Sequence, residues 1–237
     1  MDPIHQNIIY VLAGVLLFVI IKLIIYLVKK HRRYQEVLFM GSSNSGKTVL
    51  FSNLIYNRIV STYTSMVENK GSYKSAKHEI KITDIPGNER VRGRIFDEHK
   101  GFAQGILFMI DSEGIQTELR EVAELLFSVL TDPVVRSNCK EVLIVCNKQD
   151  LPLAKGTTVI QMLLEKELNM LRSLKGKQLD TTSNESGKKK RPYLGSRKKD
   201  FEFSHLKPLS VSFAEAISYG TSENIQLDEV KQWLQKF

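Results

Sequence analysis

Gly41-Ser42-Ser43-Asn44-Ser45-Gly46-Lys47-Thr48 lies between the apolar run Val37-Leu38-Phe39-Met40 and a helical pattern from Val49 to Tyr56. Glycine, four residues, then Gly-Lys and a hydroxyl residue is the spacing of a phosphate-holding loop. The glycines allow a tight turn, so successive backbone N–H groups converge on phosphate oxygens. The following helix adds its positive N-terminal end to the same anion. Lys47 is expected to reach the β- and γ-phosphates, and the Thr48 hydroxyl to bind Mg²⁺. A buried strand before the loop and a helix after it are the context this reading requires.

Two further motifs lie outward from the loop. His78-Glu79-Ile80-Lys81-Ile82-Thr83-Asp84 alternates polar and apolar, as a strand with one wet face does. It runs into Asp84-Ile85-Pro86-Gly87, about forty residues after the loop. A carboxylate at such a strand tip can hold Mg²⁺ through water, and Gly87 lets its N–H approach a γ-phosphate. Glu141 to Cys146 is a second apolar strand, followed by Asn147-Lys148-Gln149-Asp150. A carboxylate only accepts hydrogen bonds, so Asp150 requires two adjacent donors. Guanine offers them at N1–H and the 2-amino group. Adenine has an acceptor at N1 and a C–H at C2, and would leave the carboxylate unpaired. The Lys148 stem is placed to lie over the base, and Asn147 to brace the loops.

The other segments complete an alternating strand–helix chain. Ile59 to Lys77, rich in Ser, Thr and Lys, is expected to cross over the nucleotide as a loop. Thr62 and Thr64 are its two hydroxyl candidates for Mg²⁺, with Thr64 preferred. Arg90 to Lys100 reads as a charged, mobile helix, Gly105 to Asp111 as a central parallel strand, and Gln116 to Leu130 as a helix with a core-facing stripe. Thr157 to Leu174 is a helix, Pro208 to Phe213 the last strand, and Leu227 to Phe237 a closing helix with Trp233 and Leu234 facing in. Ser212 is placed in the last base-contacting position. Cys139 and Cys146 are too few for a disulfide scaffold, and Cys146 reads as core.

The N-terminus carries a different signal. After a polar stretch at 1–7, Ile8 to Val28 is 21 residues, sixteen of them Leu, Ile, Val or Phe. At ~1.5 Å per residue, a helix of that length spans roughly 30 Å of hydrocarbon. Sixteen such side chains at about −0.3 to −0.6 kcal/mol each outweigh about +3 kcal/mol for Lys22, which is off-centre and able to snorkel. A cleaved signal peptide is disfavoured, because the start lacks Lys and Arg and the apolar run is too long. Lys29-Lys30-His31-Arg32-Arg33 marks the cytosolic side. The expectation is a single-pass span with residues 1–7 outside the cytosol and a domain over 36–237 inside it.

The chain carries a net charge of +8, but residues 172–200 hold ten Lys or Arg against three acids. The remainder is near neutral, which argues against a nucleic-acid-binding fold. Lys175 to Asp200 reads as a basic, disordered insertion. Lys188-Lys189-Lys190-Arg191-Pro192 has the look of a nuclear import signal, which a membrane anchor contradicts. Attraction of this insertion to anionic lipid is open.

With three motifs in order, the chain resembles the Ras-like GTPase superfamily over residues 36–237. With the N-terminal span added, it resembles the signal recognition particle receptor β-subunit family. That resemblance implies an α/β fold, a mostly parallel sheet with helices on both faces, binding GTP or GDP with Mg²⁺. It also implies an endoplasmic reticulum location with a lumenal N-terminus, and a receptor α subunit that docks on the GTP-bound switch regions. The Arf and Sar trafficking GTPases share the fold but attach without a spanning helix, and stand as the alternative. Two departures matter. Asn88 occupies the position at which Ras-like enzymes carry a water-orienting glutamine; one methylene shorter, it is expected to give slow hydrolysis. The usual S-A-K of the last loop is absent. Both a cycling GTPase and an anchor that holds GTP nearly permanently are consistent with these residues.

Overall fold

The computed structural model describes residues 12–24, 36–58, 60, 65–75, 79–182, 193–196, 199–220 and 224–237, with side chains in the long helix described as far as residue 175. Two compact units divide the chain, residues 1–35 and 36–237. In the first, residues 12–24 form a helix (α1) with exposed side chains. Among the described residues no helix is both long and apolar enough to cross a membrane; residues 8–11 and 25–28 of the expected span lie outside the described residues.

The second unit is a six-stranded sheet with helices on both faces. Its elements are β1 (Glu36–Gly41), α2 (Lys47–Tyr56), β2 (Asn69–Lys74), β3 (Glu79–Asp84), α3 (Glu89–His99), β4 (Ala103–Asp111), α4 (Ile115–Leu130), α5 (Pro133–Asn138), β5 (Glu141–Asn147), α6 (Thr157–Thr182), β6 (Ser210–Glu215) and α7 (Asp228–Leu234). The strand order is β2-β3-β1-β4-β5-β6. Only β2 runs antiparallel to its neighbour; the other pairings are parallel.

The pleat divides the core. Leu38, Met40, Ile106, Phe108, Val142 and Ile144 face one helical layer, built on α3, α4 and α6. Val37, Phe39, Leu107, Met109, Leu143 and Val145 face the other, which includes Leu50, Phe51, Trp233 and Leu234 from α2 and α7. Strands buried on both faces are continuously apolar for this reason. Because β1 pairs with β3 on one side and β4 on the other, the chain winds in opposite directions from it. The crevice beyond the C-terminal ends of the strands at that switch point is where a doubly wound sheet takes its ligand.

Four expectations are corrected. The segment 59–77 is not all loop: Asn69 to Lys74 pair residue by residue with Asp84 to Glu79. This edge strand has no apolar alternation, since Gly71 and Tyr73 are its only inward positions of that kind; a Cβ at Gly71 would meet Phe51 and Ile55 at 3.0 Å. The last strand starts two residues later than expected, after Pro208, whose missing N–H cannot serve a ladder.

The basic insertion is partly ordered. α6 continues to Thr182, and residues 193–196 and 199–200 pack back on it, while 183–192 and 197–198 lie outside the described residues. Leu194 is 1% exposed. Buried Arg172 donates to the Ser196 carbonyl at 2.9 Å, to the Asn169 side chain at 2.8 Å and to the Lys199 carbonyl. α3, expected to be mobile, buries Arg92, Ile95 and Phe96.

Candidate nucleotide site

A cleft of about 560 Å³ opens at the switch point, a volume usual for a small-molecule site. Its lining joins the separate sequence motifs: Ser43, Asn44, Gly46, Lys47 and Thr48 from the phosphate loop, Pro86 and Gly87 after β3, and Asn147, Lys148 and Asp150 after β5. Val49, Val60, Ser65, Leu151, Ser218 and Tyr219, all outside those motifs, complete the wall.

At the phosphate end, Gly41 and Gly46 have φ of 144° and 91°, and a Cβ would fall 2.1 Å from the Met109 carbonyl oxygen and 2.4 Å from Asn147 Nδ2 respectively. Only glycine fits either position. Lys47 Nζ donates to the Ser42 carbonyl at 2.6 Å and to Ser45 Oγ at 3.3 Å. Burial is the main cause that lowers the Lys47 pKa to about 8, partly opposed by Asp84 and Glu118 and reinforced by Arg92. A buried ammonium with only neutral acceptors at hydrogen-bond distance is suited to an incoming polyphosphate. The Ser42 hydroxyl donates to Glu118 at 3.1 Å.

Asp84 lies at the tip of β3. Its Oδ2 accepts from Thr48 Oγ1 at 2.8 Å and from Asn69 Nδ2 at 3.0 Å, while Oδ1 is buried without a partner among the described residues. Burial raises the Asp84 pKa. A buried, half-satisfied carboxylate beside a threonine hydroxyl fits a hydrated divalent cation, which would fill the orphan oxygen and favour the ionised form. The residues present therefore fit Mg²⁺, held by Thr48 and, through water, by Asp84; its charge would offset that of the phosphates. Thr62 and Thr64 lie outside the described residues.

The base end is tied to the phosphate end by Asn147, which is 1% exposed. Its Nδ2 donates to the Ser45 carbonyl at 2.9 Å, and its Oδ1 accepts from Ser218 N at 3.1 Å. Lys148, at φ 65°, donates to Asp111 at 2.6 Å, which fixes the course of its stem. Among the described residues nothing hydrogen-bonds or ion-pairs with the exposed Asp150 carboxylate, which lines the cleft with both acceptors free.

Two site expectations change. Ser212 is not in the cleft: it sits opposite Leu143 in the ladder, and its hydroxyl donates to Glu141 at 2.8 Å, at the far end of β5 from Asn147. The loop that meets the site begins after Glu215 and presents Ser218. Asn88 is the N-cap of α3, its side-chain oxygen accepting from Arg90 N at 3.0 Å, and the switch residues lining the cleft end at Gly87. Asn69, Glu118 and Ser218 carry no motif and were not legible. An earlier β6 boundary hid Ser218, and the other two meet the site only through sheet register and helix packing.

Residues 32–211 match the family model described as the signal recognition particle receptor beta subunit. The chain belongs to the signal recognition particle receptor β-subunit family. Signal recognition particle receptor subunit beta of Mus musculus is 35% identical over 99% of this chain and 88% of its own length, and the Homo sapiens protein is 34% identical over 99% and 87%. The solved mammalian receptor superimposes with a TM-score of 0.70 at 35% identity, covering 85% of this chain and 98% of that one. A complex of the Chaetomium thermophilum receptor subunit with GTP and SRX gives 0.65 at 18% identity, covering 86% and 98%, and shows the shared fold alone. As a member of this family, the chain is a Ras-like GTPase-fold subunit of the signal recognition particle receptor.

Proposed function

We propose that this chain is the membrane-anchored guanine-nucleotide-binding subunit that holds the receptor α subunit at the endoplasmic reticulum during co-translational targeting. The observation that carries it is the single cleft uniting phosphate loop and Asp150. In this reading residues 41–48, Gly87, Asn147, Lys148 and Asp150 hold GTP or GDP, and Thr48, Asp84 and Thr64 serve Mg²⁺. Residues 8–28 span the membrane once, with residues 1–7 lumenal and the domain cytosolic. The mouse and human relatives are named as β subunits of this receptor, which supports a docked α subunit. The capping role of Asn88 supports slow intrinsic hydrolysis and a largely GTP-bound anchor.

Isolation of the full chain from detergent-solubilised membranes tests this. The α subunit should co-purify, and the extracted nucleotide should be mostly GTP. Mostly GDP would favour a cycling switch. Release from membranes by alkaline washing would refute the span and favour an Arf- or Sar-like attachment.

A further inference from the structure

Gly87 is held from two sides. On one side it packs against the phosphate loop, where a Cβ would lie 2.8 Å from Ser43 Cα and 3.0 Å from Ser43 N. On the other, its carbonyl accepts from Arg92 Nη1 at 3.0 Å. Arg92 lies one turn along α3, and side chains on a helix lean back toward its N-terminus. Its guanidinium is therefore aimed at the peptide that precedes the helix. The residue is only 8% exposed, and its charged neighbour, Glu89 at 3.7 Å, is a largely exposed side chain. A buried guanidinium spent on a backbone carbonyl is costly unless that carbonyl must be held. Glycine is the residue with the most conformational freedom to lose, so pinning it removes an ordering cost that binding would otherwise meet.

We propose that Arg92 is a positioning residue for the terminal phosphate. By holding the Gly87–Asn88 peptide against the phosphate loop, it keeps the Gly87 N–H aimed at the third phosphoryl group, and so sets the preference for nucleoside triphosphate over diphosphate. The inference rests on the guanine-nucleotide reading of the cleft. A diphosphate keeps its contacts to Lys47, Thr48, Asn147 and Asp150, none of which involves Arg92 in a hydrogen bond. Loss of the Gly87 contact therefore falls on the triphosphate, whereas the weaker effect of the Arg92 charge, which also reaches Lys47, is shared by both nucleotides.

The test is titration of the full chain in detergent with GTP and with GDP, both with Mg²⁺, for wild type, Arg92→Gln and Arg92→Lys. Arg92→Gln is expected to weaken GTP about tenfold, the value of one well-placed hydrogen bond, with GDP affinity within about twofold of wild type. Arg92→Lys keeps the charge but lacks the fork, and is expected to fall between. Thermal melting of the GDP–Mg²⁺ form identifies a misfolded variant, in which case the lysine variant alone decides. Equal losses for GTP and GDP, or no loss for GTP, overturn the proposal. A wild-type chain that binds ATP as well as GTP would instead overturn the reading of the cleft.

Discussion

Replacement of Asp150 by asparagine tests the assignment of the base at its chemical centre. In the free protein the Asp150 carboxylate faces the cleft, exposed and without a partner among the described residues, so the substitution breaks none of their contacts. With guanine bound, one oxygen takes N1–H and the other the 2-amino group. Hydrogen bonds to a charged group contribute about 1.5–3 kcal/mol each. Asparagine keeps one acceptor but turns an –NH₂ toward the 2-amino group, which loses one bond and leaves two donors opposed. The sum is about 3–4 kcal/mol, or roughly 10²–10³ in Kd. Xanthine has N1–H and a carbonyl at C2, which matches the carboxamide, so XTP should bind Asp150→Asn better than GTP does. ITP, with only a C–H at C2, separates the terms: roughly tenfold weaker than GTP on wild type, and stronger than GTP on the variant. Competition titrations of GTP, ITP and XTP on wild type and variant provide the readout. Equal weakening of GTP, ITP and XTP would refute the reasoning, because it would mean the carboxylate acts on the loop and not on the base.

Lys47 makes a pH prediction. Its folded pKa of about 8 lies below the ordinary lysine value of 10.5, so between those values the unfolded chain holds a proton that the folded one lacks. Stability of the free protein therefore rises with pH across that window from this group. Phosphate restores the charge, so GTP binding at pH 8.5 should take up a proton, measured as a dependence of binding enthalpy on buffer ionisation. Asn88→Ala removes a helix cap and should cost about 1 kcal/mol in urea unfolding while leaving single-turnover GTP hydrolysis within about threefold; a tenfold fall would restore a catalytic role to Asn88. Arg172→Met removes the guanidinium hydrogen bonds to the Ser196 and Lys199 carbonyls and to Asn169 Oδ1, and should lower stability by about 2–3 kcal/mol, read from the urea midpoint with unchanged GTP affinity.

The chemistry of the cleft was legible in the chain because it is local. A phosphate loop needs its glycines, lysine and hydroxyl within eight residues, and purine choice rests on one carboxylate four residues into a loop. Continuous apolar strands likewise announce a parallel sheet covered on both sides. The residues that escaped this reading depend on neighbours distant in the chain. Asn69 reaches Asp84 because two strands pair in one register. Ser218 displaces Ser212 because β6 begins two residues later and its loop, not its pleated body, meets Asn147. Arg172 orders part of a segment whose composition spells solvation, since the carbonyls of Ser196 and Lys199, distant in the chain, converge on its guanidinium. Composition and spacing determine which groups a short stretch can present; only the packed sheet decides which of them meet, because register and helix docking are settled by the whole core at once.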